Sequence, residues 1–522
     1  MRVMNIQSDR SSDDPVPFTT PLFDDPSVRA LSRVGVVDVG SNSVRLVVFD
    51  GAARSPAYFY NEKIMCALGA GVSQTGKLNP LGRERAMAAM VRFKALADRM
   101  GLPDLNVVAT AAMRDAEDGP EFVEMVEKKT GLKIWVINGE EEARLSAQGV
   151  LLGWPGAYGL ICDIGGSSME LAEISDGEVG RRVTSNLGPL KLRDLKGGQS
   201  GRKAHIRKTL ADLKKQMGEQ RDRLFLVGGS WRAIARIDML RQKYPLHVLH
   251  EYRMDAASVT KTVEYILTGD PEEIRLAAGV SSSRMDLVPI AAEVLGEIVR
   301  QFKPKDIAIS SYGIREGMLY EQMPQRLRDR DPLIEACHFA ESKDARLPGF
   351  GAQLYDFIRP LFQGVPETRW RIIQAACLLH DVTWRAHPDY RAELCFDNAT
   401  RANLGGLKHS ERVYLGLALL HRYSNKRDGT RFEDLFNLIP EELQVEAEIL
   451  GKAMRFGAML WLNDASDLGE FTVMKDEGRV ELRLSKSGRS LFGEVAEARL
   501  RSLCKSMGVE PRVYADGELL IE

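Results

Sequence analysis

"VGVVDVGSNSVRLVVFD", residues 34–50, is echoed by "GLICDIGGSSMELAEIS", residues 159–175. In register, Asp38 falls on Asp163, Gly40 on Gly165, Ser43 on Ser168 and Leu46 on Leu171. Each copy is an apolar run that ends on an acid, turns through Gly, Ser and Asn, and leaves as a second apolar run, the pattern of a hairpin. Such a turn aims successive backbone N–H groups and short hydroxyls at one point, which makes a nest for an anion such as phosphate. The acid beside it can hold a divalent cation. Either turn alone reads equally well as a plain hairpin whose Gly and Asn serve geometry. The repetition with the acid retained points to two phosphate-binding loops, Gly40, Ser41, Asn42 and Ser43 in one and Gly165, Gly166, Ser167 and Ser168 in the other.

The rest of the chain bounds this reading. At 522 residues it exceeds one ordinary core, so several domains are expected. Apolar residues make up 44% and charged residues 28%, with a net charge of −2. The whole molecule has no electrostatic reason to seek nucleic acid or acidic lipid, and a polyanion must be met by a local basic patch. The six cysteines are scattered without a C-x-x-C pair, which suits a reducing cytoplasm and offers no zinc site. No apolar run is long enough to span a bilayer, and no signal-peptide pattern opens the chain.

Periodicity divides the chain. Residues 1–32, rich in Asp, Ser and Pro, read as a mobile tail. Over 33–153 the first hairpin is followed by helix 81–100, strand 105–109, helix 120–130, strand 133–137 and helix 140–152. Residues 154–326 repeat this order, with helices at 203–217, 231–243 and 286–301 and strands at 223–227 and 306–310. The spacing predicts two copies of one α/β fold. Residues 327–467 carry mostly helical patterns, and 468–522 return to mixed α+β structure with a hairpin around Asp476-Glu477-Gly478.

Four stretches make the repeat specific: "VVDVGSNSVRLVV", "NGEEEARL" (138–145), "CDIGGSSMEL" (162–171) and "SSYGIREGMLYE" (310–321). They resemble the exopolyphosphatase and guanosine pentaphosphate phosphatase family, within the superfamily of actin, sugar kinases and heat-shock chaperone ATPases. The resemblance implies two tandem ribonuclease-H-like domains, followed by a helical module like the HD phosphohydrolases and a small α+β domain. One departure is that Ser167 and Met169 stand where the family's second loop usually has Gly and Thr.

The resemblance also assigns roles. Glu142, directly before Ala143-Arg144, corresponds to the catalytic glutamate that orients and deprotonates water. Glu140 and Glu141 read as helix-start acids favoured by the dipole. Asp163 and Glu170, with Asp38 as a further acid, would bind Mg²⁺ or another divalent cation. Arg114 and Arg284 match arginines that contact phosphate. Residues 181–215 hold eleven Lys or Arg against two Asp; within them Lys208 and Lys214 are candidates for a track holding a long polyanion, against the plainer reading of a solvated helix face. "VGGSWRAI" (227–234) sits where nucleotide-binding relatives touch adenosine, and Trp231 in a usually small position argues against a roomy nucleoside pocket. His380-Asp381 resembles an HD pair, with His338, His409 and His421 as conceivable partners. No complete metal set can be assembled from them, so a structural pair in a degenerate module is the better reading.

These readings predict an exopolyphosphatase acting on inorganic polyphosphate. A guanosine pentaphosphate (pppGpp) 5′-phosphohydrolase is the alternative on the same residues. A nucleotide- or polyphosphate-binding sensor without turnover, or a nucleotide-driven conformational protein, is the alternative of another class. A cytoplasmic protein with no nucleic-acid partner is expected, with a homodimer as its candidate assembly.

Overall fold

The computed structural model describes residues 30–218, 222–426, 428–460 and 468–521. The expected tail therefore lies outside the described residues except at its end, where residues 30–32 already belong to the first strand. The chain divides into two compact units. One runs to Lys243 and includes Tyr252–Asp329; the other comprises Tyr244–Glu251 and the chain from Arg330 onward.

The first unit holds two lobes of the same design. Lobe I contains β1 (Ala30–Val39), β2 (Ser43–Ala52), β3 (Ser55–Met65), α1 (Pro80–Arg99), β4 (Leu105–Ala109), α2 (Gly119–Thr130), β5 (Ile134–Val136) and α3 (Gly139–Gly153). Lobe II contains β6 (Gly159–Ile164), β7 (Met169–Ser175), β8 (Glu178–Ser185), α4 (Gly198–Met217), β9 (Arg223–Val227), α5 (Gly229–Gln242), β10 (Arg253–Met254), α6 (Ala256–Thr268), α7 (Val288–Phe302), β11 (Asp306–Ile309) and α8 (Ile314–Gln322). The sheets run β3-β2-β1-β4-β5 and β10-β11-β9-β6-β7-β8. In both, the first strand pairs antiparallel with the second and parallel with the fourth. Lobe II thus repeats lobe I strand for strand, with β10 added at the edge.

Alternation along the first strand of each lobe sets the site. Side chains of successive strand residues point to opposite faces. Val37 and Val39 pack outward with Phe93 and Met90 of α1. Val36 packs inward in a core shared with Ile161 of β6, Leu145 of α3 and Met318 of α8. Asp38 follows Val36 on the inward face, and Asp163 follows Ile161. The duplicated acids therefore emerge on the faces that the two lobes turn toward each other.

The final helices of the lobes, α3 and α8, meet with no side chain between them. A methyl group at Gly317 would lie 1.8 Å from the carbonyl oxygen of Leu145, and one at Gly149 would lie 2.2 Å from that of Gly313. Glycine is required there by close backbone approach. Arg144 Nη2 adds an ion pair to Glu321 at 2.9 Å.

The second unit is helical in its first part: α9 (Pro332–Asp344), α10 (Phe350–Ile358), α11 (Glu367–Leu379), α12 (Arg391–Arg401), α13 (His409–Tyr423) and α14 (Glu441–Leu460). A sheet follows, β12 (Gly469–Met474), β13 (Arg479–Leu484), β14 (Glu510–Ala515) and β15 (Glu518–Ile521), with α15 (Glu494–Met507) between β13 and β14. One apolar core joins both parts, from Phe396 to Leu482 and Val513. The segment Tyr244–Glu251 belongs to this unit. Tyr244 Oη and His409 Nδ1 lie 2.9 Å apart, and His409 Nε2 donates to the His250 carbonyl at 3.0 Å. Among the described residues no helix is long and apolar enough to cross a membrane.

Candidate active site

Both duplicated turns close with the same bond, Gly40 N to Ser43 O and Gly165 N to Ser168 O, each 3.0 Å. They also meet: Ser167 Oγ donates to Ser41 Oγ at 3.0 Å. This spends the Ser167 hydroxyl on the opposite turn rather than on a ligand, so the serine that departs from the family's pattern acts as a bridge between lobes. Gly40, Ser41, Asn42 and Ser43 and Gly165, Gly166 and Ser168 line one cavity of about 210 Å³. Its walls also hold Asp38, Glu142, Asp163 and Arg284.

The acids lie together at one side. Asn138 caps α3 by accepting from Glu141 N at 2.8 Å, which fixes the first helical turn. That turn sorts the three glutamates: Glu140 is exposed, Glu141 binds Arg144 on the outside, and Glu142 is buried against the cavity. Burial, Glu170 and Asp163 push the Glu142 carboxyl well above the usual range. Arg114 opposes this; its Nη1 lies 3.5 Å from Glu142 Oε2 and 3.1 Å from the Ile137 carbonyl. Arg114 thus holds Glu142 from behind and does not line the cavity. One turn along α3, Ser146 Oγ donates to Asp163. Ser146 was not singled out from sequence, although its i+4 spacing from Glu142 places it on the same helix face.

Glu170 lies directly opposite Asp163 in the β6–β7 ladder. Its Oε1 accepts from Thr184 Oγ1 at 2.9 Å, while its buried Oε2 has no partner. Burial and Asp163 push the carboxyl up to about 8, and burial likewise raises Asp163 and Asp38. An unpartnered buried carboxylate oxygen next to a second acid fits a divalent cation. Among the described residues no three acid, His or Cys side chains converge on one point, so a cation would take at most two protein carboxylates here and complete its shell with water and substrate oxygen, as Mg²⁺ prefers.

Cations line the same cavity close to these acids, and sequence reasoning missed most of them. Arg45, Lys63, Arg232 and Arg315 line the cavity beside Arg284. Arg315 is 8% exposed, and its Nη1 is buried without a hydrogen-bond partner. Burial, Arg315 and Arg232 lower Arg45 to about 10. Arg284 lies directly on the Gly228-Gly229-Ser230 turn; a methyl at Gly229 would sit 1.8 Å from its guanidinium.

One reading needs correction. Trp231 does not shape the cavity: it is fully buried and donates to the Cys162 carbonyl at 3.2 Å. It is Arg284 that covers the Gly228-Gly229-Ser230 turn. Lys208 and Lys214 are exposed on α4 and do not line the cavity, and Lys214 Nζ donates to the Gln301 carbonyl at 2.8 Å. Part of the surrounding positive charge is matched by acids from elsewhere in the chain: Arg202 pairs with Glu293, Arg181 with Glu173 and Lys191 with Asp115.

The His380-Asp381 pair is engaged in structure. His380 Nδ1 donates to the Cys377 carbonyl at 2.7 Å, and burial and Arg422 lower the imidazole to about 4. Arg346 grips Asp381 at 2.6 and 2.8 Å. His338 faces Glu341, and His421 Nδ1 faces the Ser424 carbonyl.

Residues 47–326 match the model of the Ppx/GppA phosphatase family, and residues 345–512 match that of the exopolyphosphatase C-terminal region. Retrograde regulation protein 2 of Saccharomyces cerevisiae is 26% identical over 438 residues, covering 74% of this chain and 72% of that protein. Exopolyphosphatase 1 of Mycobacterium tuberculosis is 32% identical over 163 residues, covering 31% of this chain and 47% of that protein. The crystal structure of an exopolyphosphatase from Cytophaga hutchinsonii has a TM-score of 0.51 and 21% identity, over 56% of this chain and 98% of that one.

Proposed function

Because the chain belongs to the Ppx/GppA phosphatase family, we propose that it is an exopolyphosphatase that releases terminal phosphate from inorganic polyphosphate. The observation that carries this reading is one small cavity that gathers both duplicated turns, the acids Asp38, Glu142 and Asp163, and the cations Arg45, Lys63, Arg232, Arg284 and Arg315. The terminal phosphate rests between the two turns, on N–H groups of residues 41–43 and 166–168, since those of Gly40 and Gly165 close the turns. Glu142 orients an in-line water and takes its proton as the new P–O bond forms and the bridging P–O bond breaks. Arg114 holds Glu142 in position. The arginines offset charge on the phosphoryl oxygens and on the departing chain. Asp163, oriented by Ser146, and Glu170 would hold Mg²⁺, with Asp38 nearby. The cation would neutralise both carboxylates, shield the phosphate and draw Glu142 back toward its ionised form.

Cavity size favours a phosphate chain over a nucleotide. About 210 Å³ falls below the ~300 Å³ at which small-molecule pockets usually begin, and Arg284 covers Gly229. Guanosine pentaphosphate, served by the same residues, is the runner-up substrate. A sensor without turnover is the second reading, favoured by the regulatory name of the yeast relative. The repeated strand order supports ribonuclease-H-like lobes, and we read the helical part of the second unit as HD-like. The decisive test is phosphate release from long-chain polyphosphate, guanosine pentaphosphate and ATP with Mg²⁺, for wild type and Glu142→Gln. Fastest release from polyphosphate, lost in the variant, is expected. Faster release from the pentaphosphate would reassign the substrate, and no release from any would favour the sensor.

A further inference from the structure

The duplication extends to a third strand, and there the lobes diverge in charge. In lobe I, Asp38 on β1 lies opposite Arg45 on β2, which lies opposite Lys63 on β3. In lobe II, Asp163 on β6 lies opposite Glu170 on β7, which lies opposite Thr184 on β8. Directly opposed residues of antiparallel strands share a face, so each sheet carries a row of three side chains beginning on the same aspartate. The lobe II row is acidic: Thr184 donates to one oxygen of Glu170, and the other, beside Asp163, has no partner. The lobe I row turns cationic toward its edge. Arg45 and Lys63 are like charges directly opposed across two strands, an arrangement that destabilises a sheet.

Lys63 stands exposed on the edge strand at the rim of the cavity. Among the described residues it has no ion pair, and its neighbour Glu62 is taken by Arg92. Burial of its inner part, Arg284, Arg45 and Arg232 lower the ammonium to about 8. Independently, the buried Arg315 in the same cavity leaves Nη1 without a partner. This crowding of cations is relieved by a polyanion that runs outward past them.

We infer that Lys63 is the outer contact for the uncleaved part of the phosphate chain, the lobe I row holding the chain behind the scissile bond and the lobe II row the end that reacts. The inference rests on the phosphoanhydride reading above and adds a direction to it: the chain enters over β3 and ends at Glu142.

The test compares wild type, Lys63→Met and Lys63→Arg. Lys63→Met should raise KM for long-chain polyphosphate about tenfold, the scale of one charge-assisted contact, with kcat within twofold. Inhibition by orthophosphate, which fills only the terminal subsite, should change less than twofold, and Lys63→Arg should restore KM. An unchanged KM overturns the inference, as does orthophosphate inhibition weakened in step with KM. If wild type hydrolyses no polyphosphate, the functional reading fails separately. Calorimetric binding of inorganic tripolyphosphate then decides the inference: tenfold weaker binding to Lys63→Met supports it, and equal binding overturns it.

Discussion

Glu170 offers a direct test of the acidic side. Its carboxyl is buried, one oxygen is unpartnered, and its pKa is pushed from 4.5 up to about 8 by burial and Asp163. In cation-free protein the native state keeps this proton when the unfolded chain has released it. Stability therefore falls as pH rises from about 4.5 to about 8, and above that the loss is complete. Between pH 5 and 7.5 linkage puts the loss at about 3 kcal/mol. Glu170→Gln cannot ionise and should escape it. The two proteins should be nearly equal in stability at pH 5 in chelator, and the variant should melt about 5 °C or more higher at pH 7.5. Excess Mg²⁺ should shrink that gap by holding the ionised carboxylate in the wild type. Thermal melts at the two pH values measure all three. A wild type and variant separated by the same amount at both pH values would show that Glu170 carries no raised pKa, and the reasoning for a cation site there would fall.

Glu142→Gln should fold and melt no lower than the wild type, because its raised carboxyl also costs stability when ionised, while losing ~100-fold or more in kcat, the scale of a general base; near-normal turnover would remove the assignment. Gly317→Ala should destabilise the first unit by about 3 kcal/mol, because its methyl would meet the Leu145 carbonyl; a denaturant midpoint equal to wild type would contradict the backbone contact. Neutralising Lys208 and Lys214 together should raise KM for long polyphosphate more than for tripolyphosphate, with the difference fading at high salt. Because Lys214 is already bonded to Gln301, Lys208 should account for most of the effect; equal effects on long and short substrates would leave α4 a solvated surface.

The hairpins were legible because both strands of each are buried and apolar, and the acids that end β1 and β6 break the pattern at one register. The start of α3 was legible from Asn138 and the glutamates behind it. The third strands were not. β8, "EVGRRVTS", is an exposed edge with no apolar alternation, and β3 carries Lys63 on a similarly exposed edge. Arg45 could have been found by counting: it follows Asp38 by the same seven positions that separate Glu170 from Asp163. Arg232 and Arg315 stood inside quoted motifs, each the lone cation of its stretch. For the basic stretch at 181–215 the net charge was not legible, because a window of sequence counts only its own charges, and Glu293 and Asp115 arrive from far along the chain to pair with Arg202 and Lys191.

The glycine crossing of α3 and α8 has a mechanical meaning. Glu142 and Ser146 ride on one helix, and Arg315 and Glu316 ride on the other. With backbone against backbone and a core shared by both sheets, the helices form a single axle. Any swing of one sheet against the other must turn about that axle, since pulling apart would open the core. The turns at 40–43 and 165–168 belong to the sheets and not to these helices, so the Ser41–Ser167 hydroxyl bond is the link that such a swing would have to break. Glu142 and Arg315, carried by the paired helices, would keep their spacing through it.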